Sequence, residues 1–192
     1  MEYGTRKHEK AAVLGRLRPR GGFTLLELMI VVSVLLVTLL AMSQSLVASM
    51  KLNGVNRETA LATDGIREIT EVLEGVEDFS MLFALYNANP ADDPGLPGSA
   101  PGAAFAVPGL SPVETDPDGR VGEIVFPTLG FELREDLLDA NLGMPRDLNG
   151  DGVVDAANHA GNYRILPVLL RLRWKGSGCE RSMEVRTLLA DR

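Results

Sequence analysis

The sequence predicts an α+β protein: one long N-terminal helix, membrane-like in its first half and amphipathic in its second, laid on a small antiparallel sheet. Three observations predict it. An uncharged apolar run of 23 residues extends from Leu28 to Met50. Beyond it, Val55, Thr59, Ala62, Ile66, Ile69, Leu73 and Val76 recur in alternating steps of four and three, the spacing of one helical face. Near the C-terminus, two alternating apolar segments flank Lys175-Gly176-Ser177-Gly178, the pattern of a hairpin.

Residues 1–22 form a basic leader. Arg6, Lys7, Lys10, Arg16, Arg18 and Arg20 stand against Glu2 and Glu9, a net of +4. Such a flank is expected to stay cytoplasmic and send the C-terminal side outward. Residues 23–50 form the membrane segment: at about 1.5 Å per helical residue the apolar run reaches across a hydrocarbon core of roughly 30 Å. A secretory signal carries its small-residue cleavage site after the apolar region. Here the small pair Gly21-Gly22 precedes it. A cut at that point removes only the leader and leaves the helix on the mature chain, with a new amino group on Phe23.

Glu27 is the residue that a plain signal anchor leaves unexplained. A carboxylate costs about 2.5–3.5 kcal/mol at the centre of a membrane helix and less near its end, so an acid there is a functional candidate by default. The alternative is an acid merely tolerated near the interface. Gly22-Phe23-Thr24-Leu25-Leu26-Glu27, followed by the apolar run, resembles the class III signal of type IV prepilins and of the pseudopilins of type II secretion systems. The resemblance implies cleavage between Gly22 and Phe23 by a membrane-embedded aspartyl peptidase, N-methylation of Phe23, and an assembly role for Glu27. The charge logic agrees. A cationic N-terminus on a neighbouring subunit, staggered by about one turn, would pair with Glu27 and fix the register, offsetting desolvation of both charges. Many type IV pilins carry a proline within the membrane helix; this chain has none between Phe23 and Asn89.

Without the leader the chain holds 13 Lys/Arg against 24 Asp/Glu, a net of −11. That balance makes nucleic acid an unlikely partner, because sequence-independent DNA binding depends on neutralising phosphates. Cys179 is the sole cysteine, which excludes an intramolecular disulfide; packing or an exposed hairpin position is expected for it. The amphipathic continuation covers residues 51–86, and the proline-free sequence permits one helix through about Leu85. Arg57, Glu58, Asp64, Arg67, Glu68, Glu71, Glu74 and Glu77 fall largely off its apolar face. Gly54, Gly65 and Gly75 mark bends or close contacts, since each costs about 1 kcal/mol in a helix interior.

Residues 87–120 hold seven of the eleven prolines, a spacing that neither a helix nor a central strand survives. Either a disordered loop or an ordered loop contacting a partner subunit fits. Residues 121–192 supply the sheet. Val121–Phe126 reads as the first strand, Phe131–Asp139 as a short helix, Val168–Trp174 and Met183–Leu189 as the closing hairpin.

Within that part, residues 147–158 match an EF-hand-type loop. Asp147, Asn149, Asp151 and Asp155 occupy places one, three, five and nine, Gly152 the sixth, and the Val153 carbonyl the seventh. Alternate spacing turns the oxygens toward one centre, and the glycine permits the sharp turn. Twelfth place holds Asn158 instead of the usual glutamate, so Ca²⁺ affinity is expected in the weak range of about 10⁻⁴–10⁻³ M. The competing reading is an acidic turn without metal. His159 is expected at the surface. The sequence contains no phosphate-binding glycine loop, no nucleophile with a base partner and no Cys/His cluster, so no enzymatic activity is expected. What the resemblance implies is a minor pilin or pseudopilin of a type IV pilus or type II secretion pseudopilus. Its partners would be other such subunits, the prepilin peptidase and an inner-membrane assembly platform, with the globular domain periplasmic. Two other readings stand beside it: a membrane-anchored calcium-binding domain with a receptor role, and a DNA-uptake minor pilin.

Overall fold

The computed structural model describes residues 22–191, so the leader ahead of Gly22 lies outside the described residues. The elements run α1 (Leu25–Glu74), α2 (Phe79–Tyr86), β1 (Ala104–Phe105), β2 (Gly122–Val125), β3 (Thr128–Leu129), β4 (Glu132–Leu133), β5 (Ile165–Lys175) and β6 (Glu180–Ala190). Two compact units result, Met1–Leu46 and Val47–Arg192. The protein is α+β, a long N-terminal helix packed against a small antiparallel sheet.

In the first unit, α1 is an isolated apolar helix. Among the described residues it is the one element long and apolar enough to cross a membrane. In the second unit, Ala62, Gly65, Ile66 and Leu73 of α1 are buried, and Ala62, Ile66 and Leu73 share one core with Leu170, Leu172 and Trp174 of β5. The apolar stripe differs from expectation at one turn. Thr59 is exposed and its hydroxyl donates to the Val55 carbonyl, while Glu58 turns inward. The Glu58 carboxylate accepts the Ser177 N–H at 3.0 Å and its hydroxyl at 2.7 Å. An acid on the buried side is stable there because it supplies acceptors to the turn between β5 and β6. Gly65 is the point of closest approach: a Cβ there would lie 2.6 Å from a Val107 methyl carbon.

The expected single helix through Leu85 is two helices. α1 ends at Glu74, and Asp78 caps α2 by accepting the Ser80 N–H at 3.0 Å and the Ser80 hydroxyl at 2.7 Å. Gly75 weakens the helix at the break, and the aspartate offers the backbone a fresh start. The new direction buries Leu82, Phe83 and Tyr86. Tyr163 fastens the turn. Its hydroxyl accepts the Phe83 N–H at 3.0 Å and donates to the Phe79 carbonyl at 2.5 Å, the two groups that a regular helical turn joins directly.

The main sheet has the antiparallel order β1-β2-β5-β6. Its spine is β5, whose Leu166, Val168, Leu170, Leu172 and Trp174 are all buried, as the alternating pattern required. β6 pairs along its whole length, Leu170 opposite Val185 and Leu166 opposite Leu189, and Cys179 lies exposed in the turn before it. The first strand is β1, inside the proline-rich segment, ahead of the one expected at 121–126. Its two residues lie at the sheet edge, where proline-rich chain is tolerated. The same segment buries Val107 and Val113 and is tied down by Gly102 N–H to the Leu85 carbonyl at 3.0 Å.

Phe131–Asp139 is not a helix. Gly130, at φ +65°, closes the small hairpin β3–β4, and after β4 the chain bends at Glu135 and Asp136 beside the acidic loop. Long-range hydrogen bonds override local helix propensity here.

Burial pushes the Tyr163 phenol up to about 12 from an ordinary value of 10.0. Between those values the unfolded phenol is ionised and the folded one is not, so stability falls as pH rises through this window. The expected loss is about 2–3 kcal/mol for a shift of about two units. Denaturation of the detergent-solubilised chain, followed by fluorescence of the buried Trp174, should show that alkaline loss in the wild type. Tyr163→Phe should lack it, at the cost of about 1 kcal/mol near neutrality.

Candidate functional site

Two places in the described chain carry chemistry, one in each compact unit. The first is the N-terminal junction. Gly22, Phe23 and Thr24 precede α1 in non-helical chain, and every residue from Gly22 to Asn53 is exposed. Leu28 N–H donates to the Thr24 carbonyl at 3.1 Å, and Glu27 N–H donates to the Thr24 hydroxyl at 3.2 Å. Thr24 is therefore the N-cap and Glu27 the third helical residue. Thr-x-x-Glu is the capping-box spacing, a local signal that the sequence reading did not use. Glu27 sits in the first turn, where the helix dipole favours a carboxylate. The peptide bond between Gly22 and Phe23 thus lies just outside a capped helix, in exposed non-helical chain.

The second place is the loop 147–158, where each expected side chain folds back on the loop's own backbone. Asp147 accepts Gly150 N–H at 2.6 Å and Gly152 N–H at 2.7 Å. Asn149 accepts Asp151 N–H at 2.8 Å, and Asp151 accepts Val153 N–H at 2.8 Å. Asp155 accepts Ala157 N–H at 2.7 Å. Gly150 and Gly152 have φ of +78° and +86°, so the sixth place adopts a backbone that only glycine takes without strain. The loop is anchored by Leu148, which is fully buried and whose carbonyl accepts Arg164 N–H at 2.7 Å and Ile165 N–H at 3.0 Å. Those bonds seat it on the start of β5.

The donor set fits a hard cation in part. Three carboxylates and an amide oxygen belong to one short loop, and oxygen ligands of this kind suit Ca²⁺, but the structure groups Asp155 with Glu135 and His159 and not with Asp147 and Asp151. Asn158 is not among the oxygen ligands: its side-chain oxygen accepts Leu133 N–H and Ala160 N–H, both at 3.1 Å.

Sequence reasoning missed Glu135. Its side chain is fully buried. One oxygen accepts Leu148 N–H at 2.6 Å and Asn149 N–H at 3.2 Å, and the other accepts Asp155 N–H at 3.3 Å. The loop is folded around this carboxylate. A faint signal was present, since Leu133, Glu135 and Leu137 alternate with Arg134 and Asp136 and put the acid on the apolar side. His159 also departs from expectation: it is buried, at 3% exposure. Its Nε2 lies 3.0 Å from Asp155 Oδ1 and 3.7 Å from Glu135 Oε2.

The backbone N–H of Gly152 holds the Asp147 carboxyl below the usual range, with help from Gly150. Ala157 N–H and then the His159 side chain do the same for Asp155. The stabilisation these two provide is present above the ordinary carboxylate range and is lost as pH falls through their lowered values. For His159, burial pulls the pKa down, but Asp155 and the charge of Glu135 outweigh it and the net shift is upward.

A family model described as the prokaryotic N-terminal methylation motif matches residues 17–43. It covers the junction, Glu27 and the first part of α1, and it supports the type IV pilin-like family for this chain. The apolar helix and the motif together fit membrane anchoring, and a motif of this kind implies assembly with other pilin subunits. No curated protein and no solved structure matches the chain.

Glu135→Ala should destabilise the domain by on the order of 3 kcal/mol, because the buried N–H groups of Leu148 and Asn149 lose their acceptor. Denaturant titration followed at Trp174 measures it. A loss below about 0.5 kcal/mol, the range of an ordinary surface change, would show that the loop does not depend on this carboxylate.

Proposed function

We propose that this protein is a structural, non-enzymatic subunit, a minor pilin or pseudopilin, of a type IV pilus or type II secretion pseudopilus. The observation that carries the reading is the methylation motif at residues 17–43, placed on a capped helix whose first half offers only exposed apolar surface. In this reading the prepilin peptidase cuts between Gly22 and Phe23 and methylates Phe23. The apolar half of α1 is held by the inner membrane until an assembly platform transfers it into a filament core. There Glu27 meets the cationic N-terminus of a neighbouring subunit. The domain built on the sheet is periplasmic and faces outward, and Ca²⁺ held by Asp147, Asn149, Asp151, the Val153 carbonyl and Asp155 tightens its loop.

Mass spectrometry of the membrane-purified protein should find N-methylated Phe23 at the mature terminus, and replacing Gly22 with a bulky residue should block that product. Glu27→Leu should insert normally yet enter sheared filaments far less than wild type. Retention of Met1 in an assembled complex would defeat the reading and favour an anchored domain instead.

Calcium has its own test. A ligand that binds only the folded state at ten times its Kd adds about 1.4 kcal/mol, or roughly 3–5 °C in Tm for a domain of this size. The full chain in detergent should gain that much in millimolar Ca²⁺ over chelator, with Mg²⁺ giving less. Asp151→Ala should abolish the gain. Identical melting of the wild type in chelator and in 10 mM Ca²⁺, about ten times the weakest expected Kd, would reduce the loop to an acidic turn.

A further inference from the structure

The loop brings together a donor set that the EF-hand pattern does not contain. Glu135 and His159 are both buried, Asp155 is half-exposed, and one ligand atom from each lies within 4.8 Å of the others. We propose that Glu135 Oε2, Asp155 Oδ1 and His159 Nε2 form a second cation site, adjoining the calcium loop through Asp155 and suited to a first-row divalent metal of the zinc class. It does not rest on the filament reading or on calcium occupancy.

Geometry carries the inference. Zinc-class ions bind imidazole nitrogen and carboxylate oxygen at about 2.0–2.2 Å, so tetrahedral ligands stand about 3.3–3.6 Å apart. His159 Nε2 is 3.0 Å from Asp155 Oδ1 and 3.7 Å from Glu135 Oε2, which brackets that spacing. All three atoms lie within 4.8 Å of one another.

The surroundings orient each ligand. His159 Nδ1 lies 3.2 Å from Asn162 Oδ1 and 3.4 Å from Asn149 Nδ2; the shorter contact, to an acceptor, favours the ring proton on Nδ1. With the proton there, the Nε2 lone pair faces two carboxylate oxygens, a place that a bound cation fills in exchange for the proton that Nε2 otherwise carries. A hydrogen-bonded acceptor on the far ring nitrogen is the usual support of a metal-binding histidine. Glu135 is held in the same manner: its Oε1 takes the Leu148 and Asn149 N–H groups, while Oε2 accepts the Asp155 N–H at 3.3 Å and also faces the imidazole. The Asp155 side chain is 47% exposed, which gives an ion a way in and leaves room for water as a fourth ligand.

Chemistry sets the class of ion. Calcium and magnesium prefer oxygen throughout, whereas imidazole suits zinc, cobalt, nickel and iron. Two carboxylates and a neutral imidazole carry a charge of −2, which a dication balances. Asp155 is common to both sites, so variants that separate them must leave it intact.

The test titrates chelator-treated full chain in detergent with Co²⁺, whose visible bands report ligand type. We expect one Co²⁺ per chain with a tetrahedral spectrum, displaced by Zn²⁺ but not by excess Ca²⁺. His159→Gln and Glu135→Gln should each weaken binding by about tenfold or more. Asp151→Ala should leave it within about twofold of wild type while abolishing the Ca²⁺ response in melting, which keeps the two sites distinguishable. X-ray absorption of the zinc-loaded wild type needs no variant and should show one imidazole in the shell. An oxygen-only shell, no saturable Co²⁺ binding, or unchanged binding by folded His159→Gln would overturn the proposal and leave an imidazolium paired with Asp155 and Glu135.

Discussion

One helix has to satisfy two surroundings, and the rest of the structure follows from how it does so. Over its first half α1 is apolar on every side and fully exposed. Water cannot be the intended neighbour of such a surface, since each buried apolar side chain is worth about 1.5–3 kcal/mol relative to exposure. Over its second half the same helix is apolar on one stripe only, and that stripe is covered by the sheet through Ala62, Gly65, Ile66 and Leu73. The change of pattern falls near Lys51, the first charge after Leu28. A chain read as a filament or membrane subunit needs such a division, because the part that packs with lipid or other subunits must not be consumed by its own domain.

Polar groups set the details of the globular part more than apolar ones do. Glu58 reaches from α1 to the Ser177 backbone and hydroxyl at the β5–β6 turn. Tyr163 places its hydroxyl between the Phe83 N–H and the Phe79 carbonyl. Glu135 gathers three N–H groups from the acidic loop. Tyr163 and Glu135 thereby satisfy backbone groups that would be costly to bury unpaired, and Glu58 ties the exposed β5–β6 turn to α1. The core of leucines around β5 gives the driving force, and these three side chains select where helix, turn and loop come to rest.

The acidic loop illustrates how a motif and its setting divide the work. Local Asx bonds through Asp147, Asn149, Asp151 and Asp155 shape the loop from within. Glu135 and the Leu148 anchor shape it from outside, and they bring His159 into a buried position that the motif says nothing about. Substituting Asn158 for the usual twelfth-place glutamate frees that residue to tie the loop to Leu133.

The sequence by itself determined the apolar segment, the junction around Phe23, the helical face of α1 and the closing hairpin. All of these are written in local order: an uncharged run, a three-and-four periodicity, a two-residue alternation, a glycine turn. Local order also held the capping role of Thr24 and the Asx geometry of the loop. Only the tertiary structure decided the direction α2 takes after Gly75, the inward turn of Glu58, the non-helical path of residues 131–139 and the meeting of Glu135 with His159. The physical reason is common to the four. Each depends on a partner far along the chain, Tyr163 for α2, Ser177 for Glu58, the loop backbone for Glu135, and a hydrogen bond across such a separation leaves no period in the sequence to read.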